Sequence, residues 1–271
     1  MASYSCSRAT TLIAPAEHYL QWGVKHSERK ITKADRVFPF GYRASAPTDT
    51  MISEAEQFWR ERSINSARKD FVVCFFGTLG RQFDLETVIA SARRLKTRRS
   101  NVRFVICGRG EMAKHYEEMA SDCSNVVFPG WVNAPQIWTL MRMGAVGLAP
   151  YRKSVAFASH VPNKAIEYLS AGLPILSTID GELGRLLRER VCGIVYPIGD
   201  SAMLADVITT LHDNSALREE MARNCKRLFH ERFEAERVYG ELAEYLERLE
   251  TVYPGGHLDS DRAAIGMQES G

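Results

Sequence analysis

No window of the sequence approaches the ~18 consecutive apolar residues of a membrane-spanning helix, and its N-terminus lacks an apolar core of signal-peptide length. A soluble or at most peripheral protein is expected. A charge excess is missing too: thirty-five Lys and Arg stand against thirty-three Asp and Glu, which leaves +2 and gives no global electrostatic reason to expect nucleic acid as the partner. The six cysteines, Cys6, Cys74, Cys107, Cys123, Cys192 and Cys225, show neither CxxC nor Cys/His spacing, so neither a zinc site nor a redox motif is supported. Cys74 and Cys107 fall in apolar runs, where a thiol behaves as a small hydrophobe, and a reducing cytoplasm is the simplest home. The only Asp-x-Asp, Asp259–Ser260–Asp261, lies in a polar tail and not at a loop of a sheet.

What is present is alternation. The apolar runs FVVCFF (71–76), VRFVIC (102–107), NVVF (125–128), AVGL (145–148), PILS (174–177) and GIVY (193–196) have strand length. Helical periods separate them: Leu85, Val88, Ile89, Ala92 and Leu95 share one face, as do Leu204, Val207, Ile208 and Leu211. Six alternations predict an α/β fold, a doubly wound Rossmann-like parallel sheet with right-handed crossovers, which places a ligand beyond the carboxyl ends of the strands. Residues 1–50, with short strands expected at 9–14 and 36–41 and a helix at 15–26, cannot enclose a core alone. Two helical segments, 216–229 and 234–250, follow the last strand, the second carrying Val238, Leu242, Tyr245 and Leu249 on one stripe.

The loops at the carboxyl ends are therefore the places for chemistry. In FFGTLGRQFD, Gly77 and Gly80 let the backbone approach a phosphate, although this is not the GxGxxG fingerprint. Arg81 there is either a cation for a ligand or an ordinary exposed Arg beside a tight turn. CGRGE (107–111) reads mainly as a strand-to-helix turn through Gly108 and Gly110. In FPGWVNAPQIW, Asn133 is a candidate N-cap, Trp131 either abuts a base or sugar or is tucked into the surface, and Trp138 falls within the helical period and reads as packing.

Constraints accumulate in APYRKSVAFASHVPNKAIEYLSAGLPIL (149–176). Pro162 and Asn163 open a helix, Lys164 sits in its first turn and Glu167 follows on the same side. A cation at a helix N-terminus is unfavourable for the helix itself, so Lys164 is better explained if an anion shares the site. Glu167 can accept hydrogen bonds from a vicinal diol such as a ribose. The alternative is a solvated Lys–Glu pair three residues apart.

APY followed by PNKAIEYLSAGLPI, preceded by FFGTLG, DLETVIASA and CGRGE and followed by GELGRLLRERVCGIVYPIGDSAMLADVI, resembles the donor-binding C-terminal domain of a retaining GT-B glycosyltransferase of family 4. It is similar in particular to bacterial surface-polysaccharide transferases with a P-[SN]-K-x-x-E-Y-x-x-A-G-x-P signature. The likeness covers about 71–250, and residues 9–42 resemble the end of the N-terminal domain and the crossover. It implies 1–65 as a remnant of the N-terminal domain and crossover, 66–215 as the donor-binding domain and 216–250 as C-terminal helices; the final stretch, 251–271, has few large apolar residues and is expected to be disordered.

The resemblance further implies that Glu167 binds the nucleotide ribose as the second acid of E-x7-E. Gly77 and Gly80 would face the donor, Gly130, Trp131 and Val132 would form the base-contacting strand end, and Pro162, Asn163 and Lys164 would lie near sugar and diphosphate. Two departures stand out. The first acid of the motif is replaced by Ser159, and the family's Arg and Lys of the first loop align to Thr78 and roughly Phe83, leaving Arg81 and Lys164 as the nearest cations. The implied activity is metal-free transfer of a sugar from a nucleoside diphosphate to an acceptor hydroxyl with retention, in polysaccharide or glycoconjugate synthesis. The implied partners are the nucleotide sugar and a possible separate chain carrying the missing N-terminal half. The run RRLKTRRS (93–100) is either a peripheral contact with anionic lipid or a solvated helix end whose cations are favourable at its C-terminus, so membrane contact is at most peripheral. A non-catalytic nucleotide-sugar-binding module is the alternative, and an epimerase of the same fold is disfavoured.

Overall fold

The computed structural model describes residues 2–64, 70–98 and 101–252, and the chain divides into two units, Met1–Gly41 with Ala235–Gly271, and Tyr42–Glu234. The tail expected to be disordered lies, from 253 onward, outside the described residues.

In the first unit, Ala2–Arg8 (α1) leads to Ile13–Ala14 (β1), Glu17–Ser27 (α2) and Arg36–Val37 (β2). β1 and β2 pair in parallel, Ile13 with Arg36 and Ala14 with Val37. So few ladder bonds need support, and Asp35 provides it. Its carboxylate accepts from the Arg29 guanidinium at 2.6 and 2.8 Å, from the Leu12 amide at 2.8 Å and from the Thr32 amide at 2.7 Å. Burial opposes the charge, but these donors win and hold the carboxyl well below the usual carboxylate range. The helix Ala235–Val252 buries Val238 and Tyr245 of the anticipated stripe, and the Tyr245 hydroxyl donates to the Ala34 carbonyl.

The second unit holds Asp49–Glu61 (α3), Phe71–Phe76 (β3), Leu85–Arg98 (α4), Val102–Cys107 (β4), Ala113–Met119 (α5), Val126–Gly130 (β5), Ala134–Met143 (α6), Gly144–Ala149 (β6), Val155–Ala158 (α7), Asn163–Ala171 (α8), Ile175–Ser177 (β7), Glu182–Glu189 (α9), Gly193–Val195 (β8), Ser201–Asp213 (α10) and Ser215–Arg232 (α11). The six strands form one sheet in the order β5-β4-β3-β6-β7-β8, and every pair is parallel. This is the expected α/β Rossmann-like fold. The chain winds outward from β3 to β5, then returns to β6 and winds the other way, so the crevice opens where β3 and β6 lie side by side.

The apolar runs become strands because both faces of the sheet are covered: all six residues of β3 are buried. α4 packs on α5 and α10, while α8 packs on α6 and α11 and α3 packs on α6. The anticipated faces are the packed ones, with Leu85, Val88, Ile89 and Ala92 at 0% exposure. Trp59 of α3 is fully buried and its indole N–H donates to the Gln136 carbonyl of α6 at 2.9 Å. Asn133 caps α6 in a reciprocal capping box with Gln136. The loop after β3 is sutured to the loop after β6: the Asp84 amide donates to the Pro150 carbonyl at 2.7 Å and the Arg152 amide to the Gln82 carbonyl at 2.8 Å.

Candidate functional site

Three strand ends make the floor. Beyond β3, Gly77 adopts φ +148°, and beyond β4, Gly108 adopts φ +141°, a region that glycine occupies without steric cost. A Cβ on Gly108 would lie 1.8 Å from the Gly77 carbonyl oxygen, so the two turns touch backbone to backbone. The Gly77 amide donates to Cys107, the Gly108 amide to Gly130 and the Leu79 amide to Arg109, at 3.1, 2.8 and 2.8 Å. These bonds extend the sheet's ladder into the loops.

The wall is α8. Pro162 is its N-cap residue, and the Pro162 carbonyl accepts from the Ala165 amide at 2.9 Å. Tyr168 clamps the helix to the sheet: its hydroxyl lies 3.2 Å from the carbonyls of both Cys74 and Leu148, on β3 and β6. Gly147 leaves room for that ring, since a Cβ there would stand 2.6 Å from it. The helix closes at Gly172 with φ +74°.

Held in this way, Lys164 points inward. The residue is 8% exposed, and its Nζ has no hydrogen-bond partner among the described residues. It lies 3.4 Å from the Phe75 ring centroid and 4.4 Å from that of Phe83, a cation–π seat that offsets part of the lost hydration. Burial pulls the ammonium well below its ordinary range, and the charge of Glu167 only partly opposes this. The same burial raises the Glu167 carboxyl against the attraction of Lys164. Lys164 and Glu167 are thus not a solvated surface pair.

Lys164 and Glu167 line a cavity of about 400 Å³ together with Phe76, Gly77, Thr78, Cys107, Gly108, Arg109, Trp131, Val132 and Ile137. A second cavity of about 410 Å³ shares Glu167 and Ile137 and adds Tyr42, Arg43, Met51 and Trp138. Burial, then the nearby Glu167 charge, raises the Tyr42 phenol. Such a trough offers a buried cation for an anion at one point and a carboxylate acceptor for hydroxyls one helical turn away.

Of the anticipated residues, Gly77, Trp131, Val132, Lys164 and Glu167 line the first cavity. Gly130, at φ +78°, ends β5 without lining the cavity, and Pro162 caps the helix that Asn163 begins and that carries Lys164. Gly80, Arg81 and Ser159 do not line either cavity. The Arg81 side chain is 79% exposed and pairs with Glu111 at 3.4 Å, which fits the ordinary exposed arginine. Ser159 follows α7 on the loop leading to α8. Trp138, read as packing, instead borders the second cavity with the Arg142 guanidinium 4.8 Å from its ring centroid.

Arg109 and Ile137 were not anticipated. Arg109 was legible in principle, because it sits between two glycines at the carboxyl end of a strand, but CGRGE reads first as a turn. Among the described residues, no group of three or more His, Cys, Asp or Glu is placed to hold a metal ion, and no helix is long and apolar enough to cross a membrane. Within the basic run 93–100, of which 99 and 100 lie outside the described residues, Arg93 pairs with Asp122 at 2.7 Å and Lys96 donates to the Asp122 carbonyl at 2.6 Å.

With this geometry in hand, likeness to known proteins is informative. The family model described as glycosyl transferases group 1 matches residues 57–228. An uncharacterized glycosyltransferase of Methanocaldococcus jannaschii is 28% identical over 189 residues, 68% of this chain and 47% of that protein. The phosphatidyl-myo-inositol mannosyltransferase of Mycobacterium leprae is 29% identical over 119 residues, 44% of this chain and 31% of that protein. The chain therefore spans half or less of these relatives. Among solved structures, HepE of Anabaena in complex with UDP and glucose superposes with a TM-score of 0.69 at 16% identity, over 89% of this chain and 64% of its own. Sucrose-phosphate synthase of Thermosynechococcus elongatus gives 0.68 at 14% identity, over 93% and 61%. At such identities the likeness is one of fold.

Proposed function

Because the chain belongs to the glycosyl transferases group 1 family, we propose that its first cavity binds a nucleoside-diphosphate sugar and that it serves the transfer of the sugar to an acceptor hydroxyl, with retention, in polysaccharide or glycoconjugate synthesis. The observation that carries this reading is the buried, unpartnered Nζ of Lys164 beside Glu167 at the carboxyl end of the sheet. An ammonium in that position is costly until an anion meets it. A diphosphate fits that requirement, and a ribose then lies within reach of the Glu167 carboxylate. UDP bound to HepE, a protein of the same fold, is in keeping with it.

In the reaction the acceptor oxygen bonds to the anomeric carbon as the bond from that carbon to the diphosphate oxygen breaks, and the acceptor's proton passes to the departing diphosphate. Negative charge grows on the leaving oxygens, where Lys164 and the first amides of α8 stand ready. Lys164 takes the catalytic role anticipated for it; Arg81 has none in this scheme. Residues 1–65 are assigned to a remnant of the N-terminal domain and the crossover from it, 66–215 to the donor-binding domain and 216–250 to C-terminal helices. The rest of the acceptor half is supplied by further sequence or by a separate chain. Commitment of Arg93 and Lys96 to the Asp122 region argues for only peripheral membrane contact.

A second reading, a binding module without turnover, is favoured by Ser159 standing where the family has its first acid. The two are separated by incubating the chain with UDP- and GDP-sugars, alone and with a chain supplying an acceptor half. Sugar transfer or slow donor hydrolysis supports the enzyme; tight binding without turnover in every mixture leaves the module.

A further inference from the structure

No spacing in the sequence pairs two cysteines, yet the fold brings two of the six together. Cys192 stands between α9 and β8, and Cys225, 33 positions later, lies within α11. Both are 0% exposed. The Cys225 thiol reaches the Cys192 carbonyl at 3.3 Å and the Leu173 carbonyl at 3.4 Å, and the two thiols hydrogen-bond to each other. Cys74 and Cys123 turn elsewhere, to the Val146 carbonyl at 3.5 Å and the Asp122 carboxylate at 3.4 Å.

Neighbouring bonds hold the pair in place. Asn224 donates to the Val191 carbonyl at 3.3 Å, Arg190 pairs with Glu231, and the Cys192 amide and carbonyl bond to Leu187 and Ile175, each at 3.0 Å. The face of α11 that carries Cys225 is thus fixed against the turn 190–192, and two sulfurs already in contact need little movement to bond. The thiols are not equivalent. The hydrogen bond from Cys225 and the charges of Arg190 and Arg227 lower Cys192 against its burial, whereas the same hydrogen bond and burial raise Cys225. A thiolate therefore forms first on Cys192, and the thiolate is the nucleophile. Access comes from the turn: Val191 is 40% exposed and, although β-branched, adopts φ +50°. That conformation is strained, so local opening there relieves it and uncovers the neighbouring Cys192.

We propose that Cys192 and Cys225 are a redox-active pair, a site of reversible oxidation by hydroperoxides at which Cys192 attacks and Cys225 resolves. The Cys192 thiolate bonds to one peroxide oxygen as the O–O bond breaks, and the other oxygen leaves as hydroxide, which becomes water with the proton Cys192 gave up. Cys225 then attacks the resulting sulfenic sulfur, and the S–S bond forms as the S–O bond breaks and a second water departs with the Cys225 proton. The two thiols together lose two electrons, and one peroxide is reduced to two waters; a dithiol reductant reverses the change. The bond ties the entry of β8 to α11, which packs against α8, and neither cysteine lines the Lys164 cavity.

The test treats the full folded chain with hydrogen peroxide, unfolds it, alkylates the remaining thiols with iodoacetamide and maps the digested peptides. A linked Cys192–Cys225 peptide is expected, lost again with dithiothreitol. The oxidised chain should melt about 5–10 °C higher, since a closed loop of this length restricts the unfolded chain. In Cys225→Ala, Cys192 should stop at the sulfenic acid and be trapped by dimedone; in Cys192→Ala, Cys225 should stay a thiol. Peroxide-treated wild type whose two cysteines are still alkylated, or are oxidised without a link, overturns the proposal. So does a link that forms only in urea or that joins two chains. A linked chain that melts below the reduced one overturns it as well, because closure then distorts the native fold. Equal trapping at the remaining cysteine in both variants overturns the division of roles, and where either variant fails to fold the wild-type peptide map decides alone.

Discussion

Replacing Lys164 by Met should make the unliganded protein more stable. The Nζ is removed from water, has no hydrogen-bond partner and lies 3.4 Å from the Phe75 centroid. Burial of an ammonium costs several kcal/mol, of which aromatic faces return about 2 kcal/mol when the contact is desolvated. Met keeps the length of the chain and packs its thioether well against Phe75 and Phe83. A gain of about 2 kcal/mol is expected, within the ~1–4 kcal/mol seen when buried ionic groups give way to apolar ones. For a unit the size of Tyr42–Glu234, that is a rise of about 4–8 °C in melting temperature. The pH dependence has a definite sign. Lys164 holds its proton less tightly in the folded state than in the unfolded chain, so across the window between its lowered folded value and the ordinary lysine value the unfolded state binds more protons. Wild-type stability therefore rises with pH through that window, and the Met variant lacks the rise. Calorimetric melts of both proteins from neutral to alkaline pH would read this directly. The gap should be widest at neutral pH and close as pH increases. A Lys164→Met protein that melts below wild type at neutral pH would refute the reasoning, since it would mean the ammonium is satisfied in the empty cavity. UDP at high concentration should narrow or reverse the gap, because the ligand stabilises most the protein that binds it more tightly.

Glu167→Ala should weaken UDP binding by about tenfold or more, the worth of hydrogen bonds to a charged acceptor, while Ser159→Ala should change it less; equal affinities for wild type and Glu167→Ala in a titration would remove the ribose role. Gly108→Ala places a Cβ 1.8 Å from the Gly77 oxygen at φ +141° and should fail to fold or lose well over 3 kcal/mol, whereas Gly199→Ala, at φ +79° with nothing within 4 Å, should cost only about 1–2 kcal/mol in denaturant unfolding. Arg152→Ala breaks a pair with Glu86 whose side chains are 43% and 30% exposed, and should shift the unfolding midpoint by no more than about 1 kcal/mol.

The strands were legible because a parallel sheet covered on both faces demands unbroken apolar runs. Phe71–Phe76 and Val102–Cys107 occupy the residues their sequence marks out. β5 runs on to Gly130, two residues past its apolar run, because the Gly130 carbonyl accepts from Gly108, a long-range bond with no local signature. The short strands at the start shrink to two residues each for the opposite reason: apolar character extends further than the ladder that can use it. At the site, spacing put Lys164 and Glu167 on one helix face, but only three dimensions reveal that the face is turned inward, over Phe75 and Phe83. Arg109 and Trp138 show the limit in two directions. One sits in a motif whose glycines explain the turn without the arginine, and the other in a helical period that does not say which part of the packed face borders a cavity.

The backbone contact between the turns at Gly77 and Gly108 has a consequence for how such a site diversifies. The loops meet backbone to backbone: Gly108 closes on the Gly77 oxygen, Gly110 closes on Leu79, and the Leu79 amide and carbonyl bond to Arg109 and Met112 at 2.8 and 3.0 Å. The two loops form one rigid plate, and most substitutions within it would break it. Freedom to vary is left to the side chains that stand on the plate and face the cavity, Thr78 and Arg109, with Trp131 on the adjoining strand end. Ligand preference can then drift through a few exchangeable side chains on an immobile base, so a mutational library aimed at altered ligand choice belongs at those three positions and should leave the glycines untouched.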